Sequence, residues 1–230
     1  MIKEKHSITS FFPSIRNGAA ICGSVLIGLL SLGEIASAQP FSAPQGPPSI
    51  DQKITLLEAQ TAKAPKAIPP RNRLAAAYIQ KGRETGDAAS FQRAERLLDH
   101  TLIDAPADRT SLGLRGWVAL FKHEFKEAAV WGEKARKAQP KISFYYGVLS
   151  DAYLEMGDYP KAIDAAQKML DLKPDQGAYS RAAHLRSLHG DIEGAISLWQ
   201  SAIRAGSPHS ENTAWCQVEL GDGYFNFGKL

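Results

Sequence analysis

Residues 143–176 read SFYYGVLSDAYLEMGDYPKAIDAAQKMLDLKPDQ, and this stretch decides how the rest of the chain is read. Tyr146, Leu149, Ser150 and Tyr153 recur at helical spacing. Gly157-Asp158 interrupts the pattern, and Tyr159, Ala162 and Met169 resume it until Pro174 ends it. Two amphipathic helices joined by a tight break form a helical hairpin. The same hairpin is found again by sliding along the chain. Phe125, Ala128, Ala135 and Pro140 stand 34 residues before Tyr159, Ala162, Met169 and Pro174, and Phe91, Ala94, Thr101 and Pro106 stand 34 earlier still. Ile192, Ala195 and Ala202 follow at a shift of 33, and breaks fall at His123-Glu124, Gly157-Asp158 and Gly190-Asp191. No stretch alternates with period two, so the fold class predicted is all-α, a solenoid of tandem hairpins.

The hairpin resembles the tetratricopeptide repeat, a 34-residue helix-turn-helix unit. Residues 143–176 carry the resemblance best, through Tyr146, Leu149, Ser150, Tyr153, Gly157, Tyr159, Ala162 and Pro174. Residues 109–142 carry it through Leu112, Gly116, Ala128, Ala135 and Pro140, and residues 177–209 through Tyr179, Ala183, Gly190, Ala195 and Ala202, with Ser207-Pro208 in place of the closing proline. The family implies a right-handed superhelix whose first helices line a concave surface that binds peptides or protein segments. Small residues let helices approach closely, large ones fill the gaps, and each hairpin buries its apolar face only against its neighbours.

The expected organisation follows the repeats. Residues 50–68 form a capping helix with Ser49 as N-cap, stopped by Pro65 and then Pro69-Pro70, and residues 70–108 a first repeat. Residues 109–142, 143–176 and 177–209 are three further repeats, and residues 210–230 the first helix of an incomplete fifth. The first copy departs from the pattern: Tyr78 to Phe91 is 13 residues where Tyr153 to Tyr159 is 6, so seven extra residues lengthen a helix or loop out. At the other end, Trp215, Val218, Leu220, Tyr224, Phe225 and Phe227 make an apolar helix without a following partner. This pattern fits a chain that continues further or a surface that another molecule covers, including by self-association.

The first 38 residues read as a secretory signal. Lys3, Lys5 and Arg16 precede an apolar run from Ala19 to Leu32, and Ala36-Ser37-Ala38 offers small residues before a cut between Ala38 and Gln39. The run falls short of the roughly 20 apolar residues that span a bilayer, so no stable membrane span is expected after cleavage. Residues 39–49, with four prolines and no charge, read as a linker. The expected location is periplasmic or secreted. Cleavage takes three basic and two acidic side chains and brings the charge from +3 to +2, a small excess that does not make a nucleic-acid binder and gives no guide to a partner. It also removes Cys22 and leaves Cys216 alone, so the exported chain holds together without an internal disulfide.

No catalytic arrangement stands out. There is no phosphate loop, paired-histidine zinc motif or Gly-x-Ser-x-Gly elbow. His184 and His189 lie five apart, off a shared helix face, and Cys216 has no neighbouring histidine and reads as a buried thiol. Glu124, Glu127 and Glu133 read as solvated helix faces. The chain is expected to be no enzyme and to need no cofactor or metal. Its expected function is a scaffold for a protein or peptide partner. The inward positions implied by the family are Thr110, Gly113, Trp117, Leu120 and Phe121, then Phe144, Gly147, Asp151 and Glu155, then Arg181, His184 and Leu188. Trp117, Phe121 and Phe144 make an aromatic patch with a polar rim. Where chaperone-binding relatives clamp a terminal carboxylate with Lys and Asn, this chain has Gly113, Trp117, Gly147 and Asp151, so a clamp is not expected. The alternative function is an assembly subunit of an exported enzyme complex, docked through Trp215, Val218, Tyr224 and Phe225. Amino-terminal sequencing of the exported protein should begin at Gln39; retention of Met1 would contradict the cleavage.

Overall fold

The computed structural model describes residues 48–208 and 210–228. The expected signal, its cleavage site and all but the last two residues of the linker lie outside them. Among the described residues ten helices follow one another: α1 (Ile50–Lys63), α2 (Ile68–Thr85), α3 (Ala88–Asp104), α4 (Arg109–Phe121), α5 (Phe125–Ala138), α6 (Ser143–Glu155), α7 (Tyr159–Leu172), α8 (Gln176–Leu188), α9 (Ile192–Ala205) and α10 (Glu211–Asn226). There are no strands among the described residues. The helices pair into four hairpins, α2/α3 to α8/α9, between α1 and α10. Each helix packs on its chain neighbours, and α2, α4, α6, α8 and α10 also touch in sequence, first helix to first helix. That second set of contacts makes the first helices a continuous inner row.

The repeat period is written into the core. Ala94, Ala128, Ala162 and Ala195 are all fully buried, as are Thr101, Ala135 and Ala202, with Met169 nearly so. Glycine takes the closest approaches. A Cβ on Gly116 of α4 would sit 3.0 Å from Val148 Cγ1 of α6 and 3.3 Å from both the Ala128 oxygen and the Gly132 nitrogen of α5. One on Gly132 would sit 2.9 Å from Leu149 Cδ2. Three helices therefore meet with no room for a side chain at the node.

The turns follow from backbone geometry. Gly157 and Gly190 lie at φ +76° and +81°, the left-handed region that glycine enters without steric cost. Asp158 and Asp191 then accept hydrogen bonds from the backbone N–H of Lys161 and Gly194, capping α7 and α9. The α4/α5 turn puts His123 at the glycine position, at φ 58°, and Glu124 makes no side-chain cap. A side chain there costs on the order of 1 kcal/mol. Edge-on packing of the His123 ring against Phe125, at 5.6 Å, accompanies it.

Two boundaries differ from expectation. The first helix stops at Lys63, and Ile68 already belongs to α2, with Pro69 and Pro70 in its first turn. The missing N–H of proline is no loss in a first turn, so the pair opens a helix where the sequence pattern suggests a stop. The seven extra residues of the first repeat are absorbed as helix. Past the shared tyrosine position α2 runs five residues further than α6, α3 starts three residues before Phe91, and the turn is one residue shorter. The α2/α3 hairpin therefore projects beyond its neighbours.

A polar cluster around one buried arginine ties the first two hairpins together. Arg115 of α4 is 6% exposed. It donates from Nε to Asp99 Oδ1 at 2.8 Å and pairs through Nη2 with Glu95 at 2.6 Å and Glu127 at 3.4 Å. Lys122 adds a second cation on Glu95 at 2.9 Å. Glu127 is exposed, as expected of a solvated face, and is one of these partners; it also accepts from the Trp131 indole at 3.0 Å. A second junction joins α2 to α4: Asn72 donates to Asp108 at 2.8 Å and accepts from Ser111 at 2.7 Å. Burial works against the Asp108 carboxylate, but the donors from Ser111 and Asn72 outweigh it and hold its pKa below the ordinary value.

Candidate functional site: a concave groove

The inner row of first helices encloses a groove of about 590 Å³. Its apolar end is built by residues a turn apart on α4 and by their neighbours. Phe121 stacks on Phe91 of α3, with ring centres 5.3 Å apart and planes at 13°. Trp117 lies against Phe121 at 5.6 Å and meets Phe144 of α6 edge-on at 5.5 Å. Trp117, Phe121 and Phe144 are half-buried, which leaves ring surface toward the groove, whereas Leu120 beside them is buried. Further along, Arg181 of α8 grips Asp151 of α6 with Nε at 2.7 Å and Nη2 at 2.6 Å, a two-point pair, and also donates to the Gly177 oxygen at 3.1 Å. Burial disfavours that guanidinium, but the Asp151 charge more than offsets it, so its pKa rises above the ordinary value.

Of the nine positions expected to face inward and bind, Trp117, Leu120, Phe121, Phe144, Asp151, Glu155 and Arg181 line this groove. His184 lines a smaller side cavity of about 290 Å³ that shares Asp151, Glu155 and Arg181 with the groove. Thr110 lines neither and is exposed: as the second residue of α4 it lies at the far end of that helix from Trp117 and Phe121. Gly113 and Gly147 are packing positions. A Cβ on Gly113 would lie 2.5 Å from Tyr145 Cε1, and one on Gly147 3.3 Å from Met169 Sδ. Leu188 is exposed.

The groove also holds residues that sequence reasoning missed. Arg83, on the extra length of α2, has its guanidinium carbon 5.6 Å from the Trp117 ring centre and 5.4 Å from that of Phe121. The same side chain reaches α10, donating from Nη2 to Glu211 Oε1 and Asn212 Oδ1, both at 3.2 Å. One cation thus covers the aromatic patch and spans from the first hairpin to the last helix, 128 residues on. Trp215, expected as part of the exposed terminal helix, lines both cavities and is 43% exposed. The rest of the α10 set divides. Val218 and Phe225 are 60% and 69% exposed, whereas Tyr224 is half-buried and its hydroxyl accepts from Gln200 at 2.9 Å.

Groups that could suggest other chemistry are committed elsewhere. Cys216 is fully buried, and burial pushes its thiol above the ordinary pKa. His189 Nδ1 lies 2.8 Å from the Leu185 oxygen. Among the described residues no group of three or more His, Cys, Asp or Glu is placed to hold a metal ion, and no helix is long and apolar enough to cross a membrane.

Solved structures place this geometry among known folds. TTC0263, a thermophilic TPR protein of Thermus thermophilus, superposes with a TM-score of 0.64 at 16% identity, over 76% of this chain and 91% of its own. The chain has the tetratricopeptide-repeat fold. MamA of Desulfovibrio magneticus RS-1, from residue 41 to its end, superposes at 0.52 with 20% identity over 68% of this chain and 85% of its own. No protein-family model and no curated protein matches the sequence. Within the repeat solenoid the departure that matters is the long first hairpin, because it delivers Arg83. Replacement by Ala, Arg83→Ala, should raise acrylamide quenching of indole fluorescence, with most of the increase lost in a Trp117→Phe background. Thermal stability should hardly move, since an exposed ion pair is worth about 0–1 kcal/mol. Unchanged quenching would mean that Arg83 does not cover Trp117 in solution.

Proposed function

We propose that the chain is a non-catalytic binding scaffold that holds an extended segment of a partner protein in the concave groove, outside the cytoplasm. The observation that carries this reading is the half-buried aromatic set Trp117, Phe121 and Phe144. These rings form a continuous apolar surface inside a recess, bordered by polar groups already engaged with one another. Buried aromatic anchors surrounded by satisfied polar groups are where binding energy concentrates in protein interfaces. The fold adds general support, because a solenoid offers a long inner surface to an extended ligand. Export rests on the expected leader of residues 1–38.

A second reading has its own observation. Val218, Phe225 and Phe227 on and after α10 are 60%, 69% and 49% exposed, an apolar outer face suited to docking on another subunit. The groove reading takes precedence because its residues converge on one recess of about 590 Å³. Peptides selected on the wild-type chain from a random library should bind the variant Trp117→Ala/Phe121→Ala at least thirtyfold more weakly, the scale of about 2 kcal/mol set by loss of anchor residues. Circular dichroism should show helicity near wild type. Unchanged affinity in a folded variant would move the site away from the groove, toward α10.

A further inference from the structure

The ionised side chains of the groove are nearly all spent on one another. Arg181 holds Asp151 at two points, Lys173 pairs with Asp175 at 3.0 Å, and Arg83 pairs with Glu211 at 3.2 Å. Glu155, in the last turn of α6, is the exception: it is exposed and makes no hydrogen bond or ion pair among the described residues. It lines the main groove and the side cavity of about 290 Å³, and the indole of Trp215 lines both as well. The His184 ring stands beside that indole, with centres 6.4 Å apart, and its Nδ1 lies 4.0 Å from Glu219. An unpaired carboxylate and a half-exposed indole line one small recess, and both are groups that attract a cation.

We propose that the side cavity is a subsite for an arginine or lysine side chain of the partner segment, whose apolar anchor occupies the Trp117–Phe121–Phe144 end of the groove. This inference rests on the groove reading and adds the ligand's charge. An acidic side chain is disfavoured there, because it would face Glu155 while Arg181, already held by Asp151, has little left to offer it. An uncharged side chain would gain nothing from the exposed carboxylate, which water solvates equally well. The ligand is therefore an extended segment with a bulky apolar residue and a basic residue several positions away.

The test uses synthetic peptides, capped at both ends, with one tryptophan anchor and one arginine three to six residues from it, against copies with citrulline or glutamate in place of arginine. Titrated into the exported chain, the best arginine peptide should bind about tenfold more tightly than its citrulline copy, and the glutamate copy should be weakest. Glu155→Gln should erase the difference between arginine and citrulline, and Glu155→Lys should make the glutamate copy the best of the three. Glu155 is exposed at a helix end, so these variants should keep wild-type circular dichroism. Equal binding of arginine and citrulline peptides, or a preference that survives Glu155→Gln, would overturn the cation subsite. If those peptides still lose affinity in Trp117→Ala/Phe121→Ala, the groove reading stands and only the subsite falls. If no peptide of the panel binds, the subsite is overturned as well.

Discussion

Close approach of helices at positions without a side chain is the constraint from which the rest of the molecule follows. At the node of α4, α5 and α6 the backbone of Gly116 lies against Ala128 and Gly132, with Val148 and Leu149 filling the space on the third side. The fully buried alanines repeat the arrangement along the chain, at Ala94, Ala128, Ala162 and Ala195. With a bulky residue at these positions the helices would stand further apart, and the first helices would no longer form one continuous inner row. The groove is thus a consequence of packing: its floor exists because α4, α6 and α8 touch side by side.

Polar groups sort themselves around that scaffold in two ways. Away from the groove they lock hairpins together, as Arg115 does with Glu95, Asp99 and Glu127, an arrangement whose removal by half would leave buried charge uncompensated. Along the groove they are paired across helices, Asp151 with Arg181 and Arg83 with Glu211, so the recess shows its apolar rings and little free charge. Arg83 joins the two themes. It stands on helix that only the first hairpin possesses, and it ends over Trp117 and Phe121 with its other side on α10.

The fold is legible in the sequence because the features that define it are local and periodic. A 34-residue spacing of alanines and aromatics, with glycine or histidine at the break, needs no knowledge of distant residues. The inward positions on α4 and α6 are legible through the resemblance to the repeat family, which assigns them by their place within one repeat. What escapes depends on how repeats curve relative to each other. Nothing near Arg83 in sequence points to Glu211 or Trp117, although a cation inside a seven-residue insertion is a signal that the insertion has somewhere to reach. Trp215 reads as part of an exposed terminal helix when α10 is considered without the groove that α8 brings beside it. The family's pattern places Thr110 inside, but it sits at the exposed opening turn of α4. Glu127 is exposed as read, and only its pairing escapes, because neither Arg115 nor Trp131 is distinguishable as its partner from sequence. Pro69-Pro70 is ambiguous on physical grounds, since a proline pair ends one helix or begins the next.

If small-residue packing is what holds the inner row in register, a disturbance at one node should remain local. Native-state hydrogen exchange on Gly116→Val tests this most directly, because the new side chain meets α5 and α6 at the node without lining the groove. The account predicts that protection in α4, α5 and α6 falls by about 1–3 kcal/mol, the range for an overfilled core, while α8 and α9 stay near wild type. Equal loss of protection in every helix, or no change in α4 to α6, would contradict it.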